Sequence, residues 1–266
     1  MLARLLVAGL VIGSSAALGS QAVAAPAGPA ASGITHPDLD FMGWSRRGTA
    51  GPTTGGSTDA VTQTPGIDVS HFQGTVNWAS QFAGGVRFTW IKATEGVTFR
   101  DSAFSANYTG SFNAGVIRGA YHFGLPDRST GATQANYFVD HGGGWSADGR
   151  TLPGTLDIEY NPYGATCYGL TKAGMSAWIR SFTTQYRART GRDAVIYTTT
   201  DWWTTCTGGD ASFGATNPLW IARYATTVGT LPAGWGVRTV WQYTDSPLDK
   251  DRFNGALDRL QAFALG

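Results

Sequence analysis

Cysteine is scarce: Cys167 and Cys206 are the two in a chain of 266 residues. That excludes a disulfide-stapled miniature fold and any zinc cluster built on grouped thiolates. Charge is scarce as well, with 14% of residues charged and 19 basic side chains against 18 acidic, for a net charge of +1. A surface with no positive excess has no electrostatic hold on a polyanion, so nucleic acid is excluded as the partner. The four histidines, His36, His71, His122 and His141, nowhere form a ligand pair on one helical turn, and no metal site is expected. The sequence has no G-x-S-x-G elbow, no G-x-x-x-x-G-K-S/T loop and no G-x-G-x-x-G. Serine-hydrolase chemistry of the α/β type and nucleotide binding therefore lack support. Past the first two dozen residues no apolar run is long enough to cross a bilayer, so a membrane anchor is not expected.

The N-terminus is the exception to that last point. Met1-Leu2-Ala3-Arg4 is followed by an uncharged stretch from Leu5 to Leu18 and by Ala22-Val23-Ala24. This is the pattern of a secretory signal peptide over residues 1–24, and it predicts an exported, extracellular protein. Residues 25–64, rich in Ala, Gly, Pro, Ser and Thr, bury too little apolar surface to fold alone. Within them His36 to Trp44 is denser in apolar groups and able to dock; a processed pro-segment and a cell-wall spacer both remain open. Residues 65–266 suffice for one well-buried domain. In an exported protein an even cysteine count predicts a Cys167–Cys206 bridge, tying the loop after an acidic strand to a later loop. Aromatic residues reach 12%, including ten Trp. Most must be core, although sugar-binding clefts also use exposed aromatic faces.

Apolar, β-branched runs recur with helical stretches between them. Strands are expected at Ile67–Ser70, Val86–Ala93, Ile117–Phe123, Thr155–Tyr160, Ala194–Thr198, Leu219–Tyr224, Val237–Tyr243 and around Leu248. Helices are expected after Asn77, from Asp101 or Ser102 to Ala114, through Ala135 and Phe138, and from Thr171 to about Arg189. The last carries Met175, Trp178, Ile179, Phe182 and Tyr186 on one face, at core spacing. Alternating strand and helix points to a parallel sheet. At this length its closed form is an α/β fold consisting of a single irregular β/α barrel, with eight strands, fewer helices, and later strands lacking full helical connections. Active sites of such barrels lie at the C-terminal ends of the strands.

The acids fall there. In Thr155-Leu156-Asp157-Ile158-Glu159-Tyr160, alternation puts Leu156 and Ile158 on one face and Asp157 and Glu159 on the other, with Cα atoms about 6.6 Å apart. Repulsion between two carboxylates on one face raises the pKa of one, which is how a protein keeps a proton donor beside a charged neighbour. A solvated acidic face of an antiparallel strand is the plain alternative. Asp68 ends the first strand, Glu95 follows the second, and Asp249 and Asp251 lie on or beside the last. Because first and last strands of a closed barrel are neighbours, these acids converge on one mouth. Taken singly, Glu95 or Asp251 reads more simply as a loop acid or cap. His122 ends a strand and reads either as a substrate contact or as a satisfied core histidine.

Five motifs occur in order: Gly66-Ile67-Asp68-Val69-Ser70-His71-Phe72-Gln73-Gly74, Ile91-Lys92-Ala93-Thr94-Glu95-Gly96, Gly119-Ala120-Tyr121-His122-Phe123, Asp157-Ile158-Glu159 and Trp241-Gln242-Tyr243. Together they resemble the Chalaropsis-type lysozymes of glycoside hydrolase family 25 over nearly all of residues 66–255. Leu248-Asp249-Lys250-Asp251-Arg252-Phe253 resembles the family's closing Val-Asp-x-Asn-x-Phe, with Asp249 aligned to its acid and Asp251 in place of the commoner Asn. The resemblance implies cleavage of the β-1,4 bond between N-acetylmuramic acid and N-acetylglucosamine in peptidoglycan glycan strands, with no metal or organic cofactor. It implies Glu159 as general acid, with Asp157, Asp68 and Asp249 completing the catalytic set. Candidate substrate contacts are Glu95 and the strand-end aromatics Tyr121, Tyr160, Tyr197, Trp220 and Trp241, each of which has core packing as its alternative.

Two rivals remain at this level. A chitinase-type enzyme wants D-x-x-D-x-D-x-E, but Gly154 and Thr155 precede Asp157 where another Asp is required. A non-catalytic glycan-binding protein on the same scaffold is the other, because fold alone does not establish function. Sugar binding by itself needs no proton donor, and the full set of acids argues against it. Nothing indicates an obligate partner, and a monomer is expected.

Overall fold

The computed structural model describes Met42 and residues 62–266. The expectations for residues 1–24 and for most of 25–64 lie outside this set. Nine strands form one sheet: β1 (Thr64–Val69), β2 (Phe88–Glu95), β3 (Phe99–Arg100), β4 (Ile117–Phe123), β5 (Thr155–Asp157), β6 (Val195–Thr198), β7 (Leu219–Ala222), β8 (Val240–Thr244) and β9 (Lys250–Phe253). Their order is β1-β9-β8-β7-β6-β5-β4-β2-β3, and β1 pairs in parallel with β2. That pairing closes eight strands into an irregular β/α barrel, with the short β3 folded back on β2 as a hairpin. Neighbours from β1 through β2 and from β4 to β8 run parallel, whereas β9 is antiparallel to both β8 and β1. The last strand therefore enters from the mouth, and the residues just before it lie beside the end of the first.

Among the described residues six α-helices pack around the barrel, the last beneath its floor: α1 (Trp78–Ala83), α2 (Phe104–Asn113), α3 (Gly131–Phe138), α4 (Lys172–Thr190), α5 (Thr200–Thr207) and α6 (Leu257–Leu265). Capping sets most of their starts. The Asn77 side chain accepts from the Ser80 N–H, that of Thr130 from Thr133, that of Thr171 from Gly174 and that of Thr199 from Trp202, so each occupies a backbone donor that the first turn leaves unpaired. The α4 face expected from spacing is buried at all five positions. Helices α5 and α6 were not anticipated. In α5, Thr-Asp-Trp-Trp-Thr-Thr-Cys-Thr is poor in helix formers, and the burial of Trp202, Trp203 and Cys206 overrides propensity.

Alternation along the strands separates two apolar regions. Outward side chains such as Leu156, Ile158, Ile196, Ile221 and Trp241 pack under α3, α4 and α5 with Phe138, Phe182 and Trp203. Inward ones, Phe88, Trp90, Ile117, Val195, Trp220, Val240 and Phe253, fill the barrel and its N-terminal floor with Leu260 and Ala264 of α6. Met42, from the stretch expected to dock, is fully buried in this second cluster. Two inward glycines make room for the large rings. A Cβ on Gly66 would lie 2.4 Å from the Phe88 ring, and one on Gly119 would lie 2.5 Å from Trp90 Nε1.

Cys167 and Cys206 are disulfide-bonded, joining the segment after β5 to a residue within α5 rather than to a loop. Two boundaries differ from expectation in ways that matter for the site. β5 stops at Asp157, so Glu159 lies just past the strand although Ile158 still donates to the Tyr197 carbonyl. The last strand starts at Lys250 rather than around Leu248, which leaves Asp249 at the mouth and puts Asp251 inside the barrel.

Candidate active site

The C-terminal mouth of the barrel is lined with buried carboxyls. Asp68, Asp157, Glu159, Asp249 and Asp251 are each no more than 5% exposed. Strand geometry gathers them. Asp68 and Asp251 face inward from the paired strands β1 and β9, and the Asp68 N–H donates to the Asp249 carbonyl at 3.3 Å. Asp157 enters from β5, across the mouth.

Burial is the main force on their ionisation, because a charge removed from water costs far more than one left in it. It raises Asp157 well above the usual carboxylate range; Glu159 raises it further, while Lys92 opposes. It raises Asp249 likewise, with Asp68, Asp245 and Glu159 adding to the effect. Asp68 and Asp251 are also pushed well up, first by burial and then by neighbouring carboxylates. Both oxygens of Asp157, and Oδ1 of Asp249, lack a hydrogen-bond partner among the described residues. Buried polar atoms are normally satisfied, so these oxygens are open to a polar group that enters the mouth.

The surrounding groups are far better tied. Lys92 and Glu95, both fully buried, form an ion pair at 2.7 Å. Residues three apart on a regular strand face opposite ways, but β2 carries a bulge between Lys92 and Thr94 that brings the two side chains together. Tyr163 donates to Glu95 Oε1 at 2.6 Å, and Lys92 Nζ sits 4.9 Å from the Phe99 ring centre and 5.3 Å from that of Phe123. Gln242 Nε2 donates to Asp68 Oδ2 at 2.7 Å, while its Oε1 accepts from Tyr197 at 2.7 Å and from Tyr224 at 3.1 Å. The two phenols fix which way the amide points. Lys92, Gln242 and Tyr163 were not singled out from the sequence as site residues, and Asp251, counted among the converging acids but read singly as a loop acid or cap, is buried inside the barrel. The available signal was a polar residue at an inward position of an otherwise apolar strand, as at Lys92 between Ile91 and Ala93.

The aromatic candidates separate into three groups. The Tyr121 hydroxyl is fully buried without a partner among the described residues, and burial together with Asp68 and Asp157 pushes its pKa well up. Tyr197 and Trp220 are buried inside the barrel at 0% exposure, Tyr197 on Gln242 and Trp220 donating to Asp251 Oδ1 at 2.9 Å. Tyr160 stands at the rim, where its hydroxyl donates to Asp201 Oδ2 at 2.7 Å beside an open cleft of about 590 Å³ lined by Thr199, Asp201, Arg223 and Tyr224. Trp241 points outward instead, its Nε1 donating to the Arg223 carbonyl at 2.8 Å and its ring in the helix-side core. One tyrosine outside the candidate set, Tyr168, is buried in a left-handed backbone (φ 55°), its hydroxyl without a partner among the described residues and under the influence of Asp157 and Glu159.

His122 belongs to the core. It hydrogen-bonds Thr94 at 2.8 Å and Gln134 at 3.0 Å, stacks on Phe182, and burial lowers its pKa to about 3, which keeps it neutral. Among the described residues no group of three or more His, Cys, Asp or Glu is arranged to hold a metal ion.

Residues 67–251 match the model of glycosyl hydrolases family 25. The chain is 46% identical to lysozyme M1 of Streptomyces globisporus over 278 residues, covering 98% of this chain and 94% of that protein. It is also 46% identical to the N,O-diacetylmuramidase of Chalaropsis sp over 208 residues, covering 76% of this chain and 99% of that one. Among solved structures, a muramidase from Acremonium alcalophilum is 58% identical, with a TM-score of 0.75 over 76% of this chain and 99% of its own. A family GH25 lysozyme from Aspergillus fumigatus is 49% identical, with a TM-score of 0.76 over 77% of this chain and all of its own. An acid-lined barrel mouth, a family match over most of the chain and relatives of this identity agree, and the chain belongs to the glycosyl hydrolases of family 25.

Proposed function

We propose that the protein is a secreted muramidase that hydrolyses the β-1,4 bond between N-acetylmuramic acid and N-acetylglucosamine in peptidoglycan, with Glu159 as general acid. The observation that carries this reading is Asp157, fully buried beside Glu159, with neither oxygen hydrogen-bonded to any of the described residues. An acetal leaving group needs a proton as its bond breaks, and the oxocarbenium-like centre needs a nucleophile or negative charge on its other side. Before substrate arrives, burial and Glu159 hold Asp157 toward its neutral form. An amide N–H donated by the 2-acetamido group of the bound sugar stabilises the Asp157 carboxylate and leaves the proton on Glu159. Asp157 then orients the acetamido oxygen for attack on the anomeric carbon, and Glu159 protonates the departing oxygen. Asp68 and Asp249 complete the catalytic set of carboxyls.

Secretion is proposed from the pattern of residues 1–24 together with the Cys167–Cys206 bridge. Among the described residues, no helix is long and apolar enough to cross a membrane.

The test is digestion of purified peptidoglycan by the wild-type protein and by Glu159→Gln, followed by borohydride reduction and mass analysis of the new ends. Reduced muramic acid ends from wild type alone support the proposal. Reduced glucosamine ends overturn the bond assignment, and wall binding without new ends makes the protein a glycan-binding module. Inversion of the anomeric centre in the first-formed product would remove the acetamido-assisted step.

A further inference from the structure

Two carboxyls in the barrel interior, Asp68 and Asp251, stand out from the other acids because they face each other. Gly66 of β1 lies opposite Asp251 of β9 in the antiparallel register, and Asp68, two residues along, points to the same inward face. The far side of each is already bound. Gln242 Nε2 donates to Asp68 Oδ2 at 2.7 Å, and Trp220 Nε1 donates to Asp251 Oδ1 at 2.9 Å. Asp251 Oδ2 is fully buried and has no hydrogen-bond partner among the described residues, and the Asp68 carboxyl, on the adjacent inward position of the paired strand, lies within hydrogen-bonding reach of it. A carboxylate is acceptor-only, so a hydrogen bond between two carboxyls requires a proton on one of them.

We propose that Asp68 and Asp251 hold a single proton between them, and that Asp251 is a positioning residue which keeps Asp68 bridged across the barrel between Gln242 and β9. The resulting chain is continuous from Trp220 through Asp251, Asp68 and Gln242 to the hydroxyls of Tyr197 and Tyr224. It joins β7, β9, β1, β8 and β6, so the mouth of the barrel is tied by polar contacts where the floor is tied by rings. The groups bearing on the pair are Asp249 from the turn before β9, Asp157 from β5, Glu159 from beyond β5, Tyr121 from β4, Tyr197 from β6 and Tyr224 from the segment after β7. The acids make the doubly ionised pair costlier and the shared proton harder to lose, and the phenols, pushed up by burial and by these carboxylates, stay uncharged and bring no compensating positive charge. Lys92 is committed to Glu95. Above the pH at which the shared proton leaves, the bridge becomes a repulsion and Asp68 is freed to turn toward substrate. The kinetic consequence rests on the reading of this cluster as the catalytic site; the proton itself does not.

The test pairs Asp251→Asn with Asp251→Ala, because an Asn amide still accepts from Trp220 and donates to Asp68 at any pH. Carboxyl carbon-13 spectra of aspartate-labelled full-length protein are expected to show one fewer protonated buried aspartate near neutral pH in Asp251→Asn than in wild type, with Asp68 titrating lower. The alkaline limb of kcat/KM is expected to move to higher pH in Asp251→Asn, with the optimum rate within about threefold of wild type. Asp251→Ala is expected to lose more than tenfold at every pH. An unchanged count of protonated aspartates overturns the shared proton. A reduced count with an unmoved alkaline limb overturns the positioning role. A reduced count in protein that hydrolyses no glycan leaves the pair standing and strikes the proposed function instead.

Discussion

The two ends of the barrel interior are built by the same inward alternation from the same strands, and they are chemical opposites. At the floor Phe88, Ile117, Val195, Val240 and Phe253 meet Leu260 and Ala264 of α6, with Met42 in the same cluster. At the mouth the next inward positions are Asp68, Asp157, Gln242 and Asp251, two to four residues along the same strands or their neighbours. The floor stabilises: burying each large apolar side chain contributes about 1.5–3 kcal/mol. The mouth costs stability, because four aspartates are held above their ordinary pKa values by burial and by one another, and several of their oxygens have no donor among the described residues. A carboxyl cluster of this kind persists where the surrounding packing over-determines it and where its chemistry is used.

This contrast is sharpest at Glu159. Glu159→Gln is expected to lower kcat by about 10²–10⁴-fold, the usual worth of a positioned general acid. The same variant is expected to leave the melting temperature equal to or above that of wild type, since it removes a buried acid beside Asp157. Turnover assays and thermal melts on one preparation check both, and near-normal turnover in a folded protein would refute the assignment.

The floor should respond in the opposite sense. Phe88→Ala is expected to cost about 3–5 kcal/mol of stability, and Met42→Ala about 2–5 kcal/mol, from lost burial and the cavities left behind. In protein that remains folded, kcat/KM is expected to stay within about threefold, because neither side chain reaches the acids. Denaturant titration alongside turnover checks this. A Met42→Ala protein with unchanged stability would mean that the barrel floor is complete without it.

The smallest and most distributed effect is the pH dependence of stability. Asp68, Asp157, Asp249 and Asp251 have folded-state pKa values well above the ordinary 3.8. Above that value the unfolded chain has released protons that the folded protein still holds, so stability falls as pH rises. The contribution is full below the unfolded carboxylate value and is lost progressively as pH climbs through the raised ones. Melting temperature is therefore expected to decline from about pH 5 toward pH 8, and to decline less in Asp157→Asn. A melting temperature that rises across this range would show that the acids are ionised and compensated in the folded state.

Much of this architecture was legible in the residues. Period-two alternation in Leu156-Asp157-Ile158-Glu159 put both acids on one face, and the observed burial of Leu156 and Ile158 in the helix-side core agrees. Four-residue spacing in α4 located its buried face. Other features were illegible for identifiable reasons. The Lys92–Glu95 contact depends on a bulge, and nothing in Lys92-Ala93-Thr94-Glu95 says where an extra residue enters the ladder. The orientation of Gln242 depends on two phenols from other strands. The outward direction of Trp241 depends on register, and a shift of one residue reverses every side chain.

The sequence by itself determined the periodicities, the order of the main parallel strands and of the first four helices, and the presence of acids at strand ends, because these are local properties of neighbouring residues. Only the tertiary structure decided which acids meet. Barrel closure brings β9 against β1 from the opposite direction, so Asp251 finds Asp68 across 183 positions of sequence difference. Burial then sets the ionisation of both, and burial belongs to the closed barrel as a whole rather than to any stretch of chain.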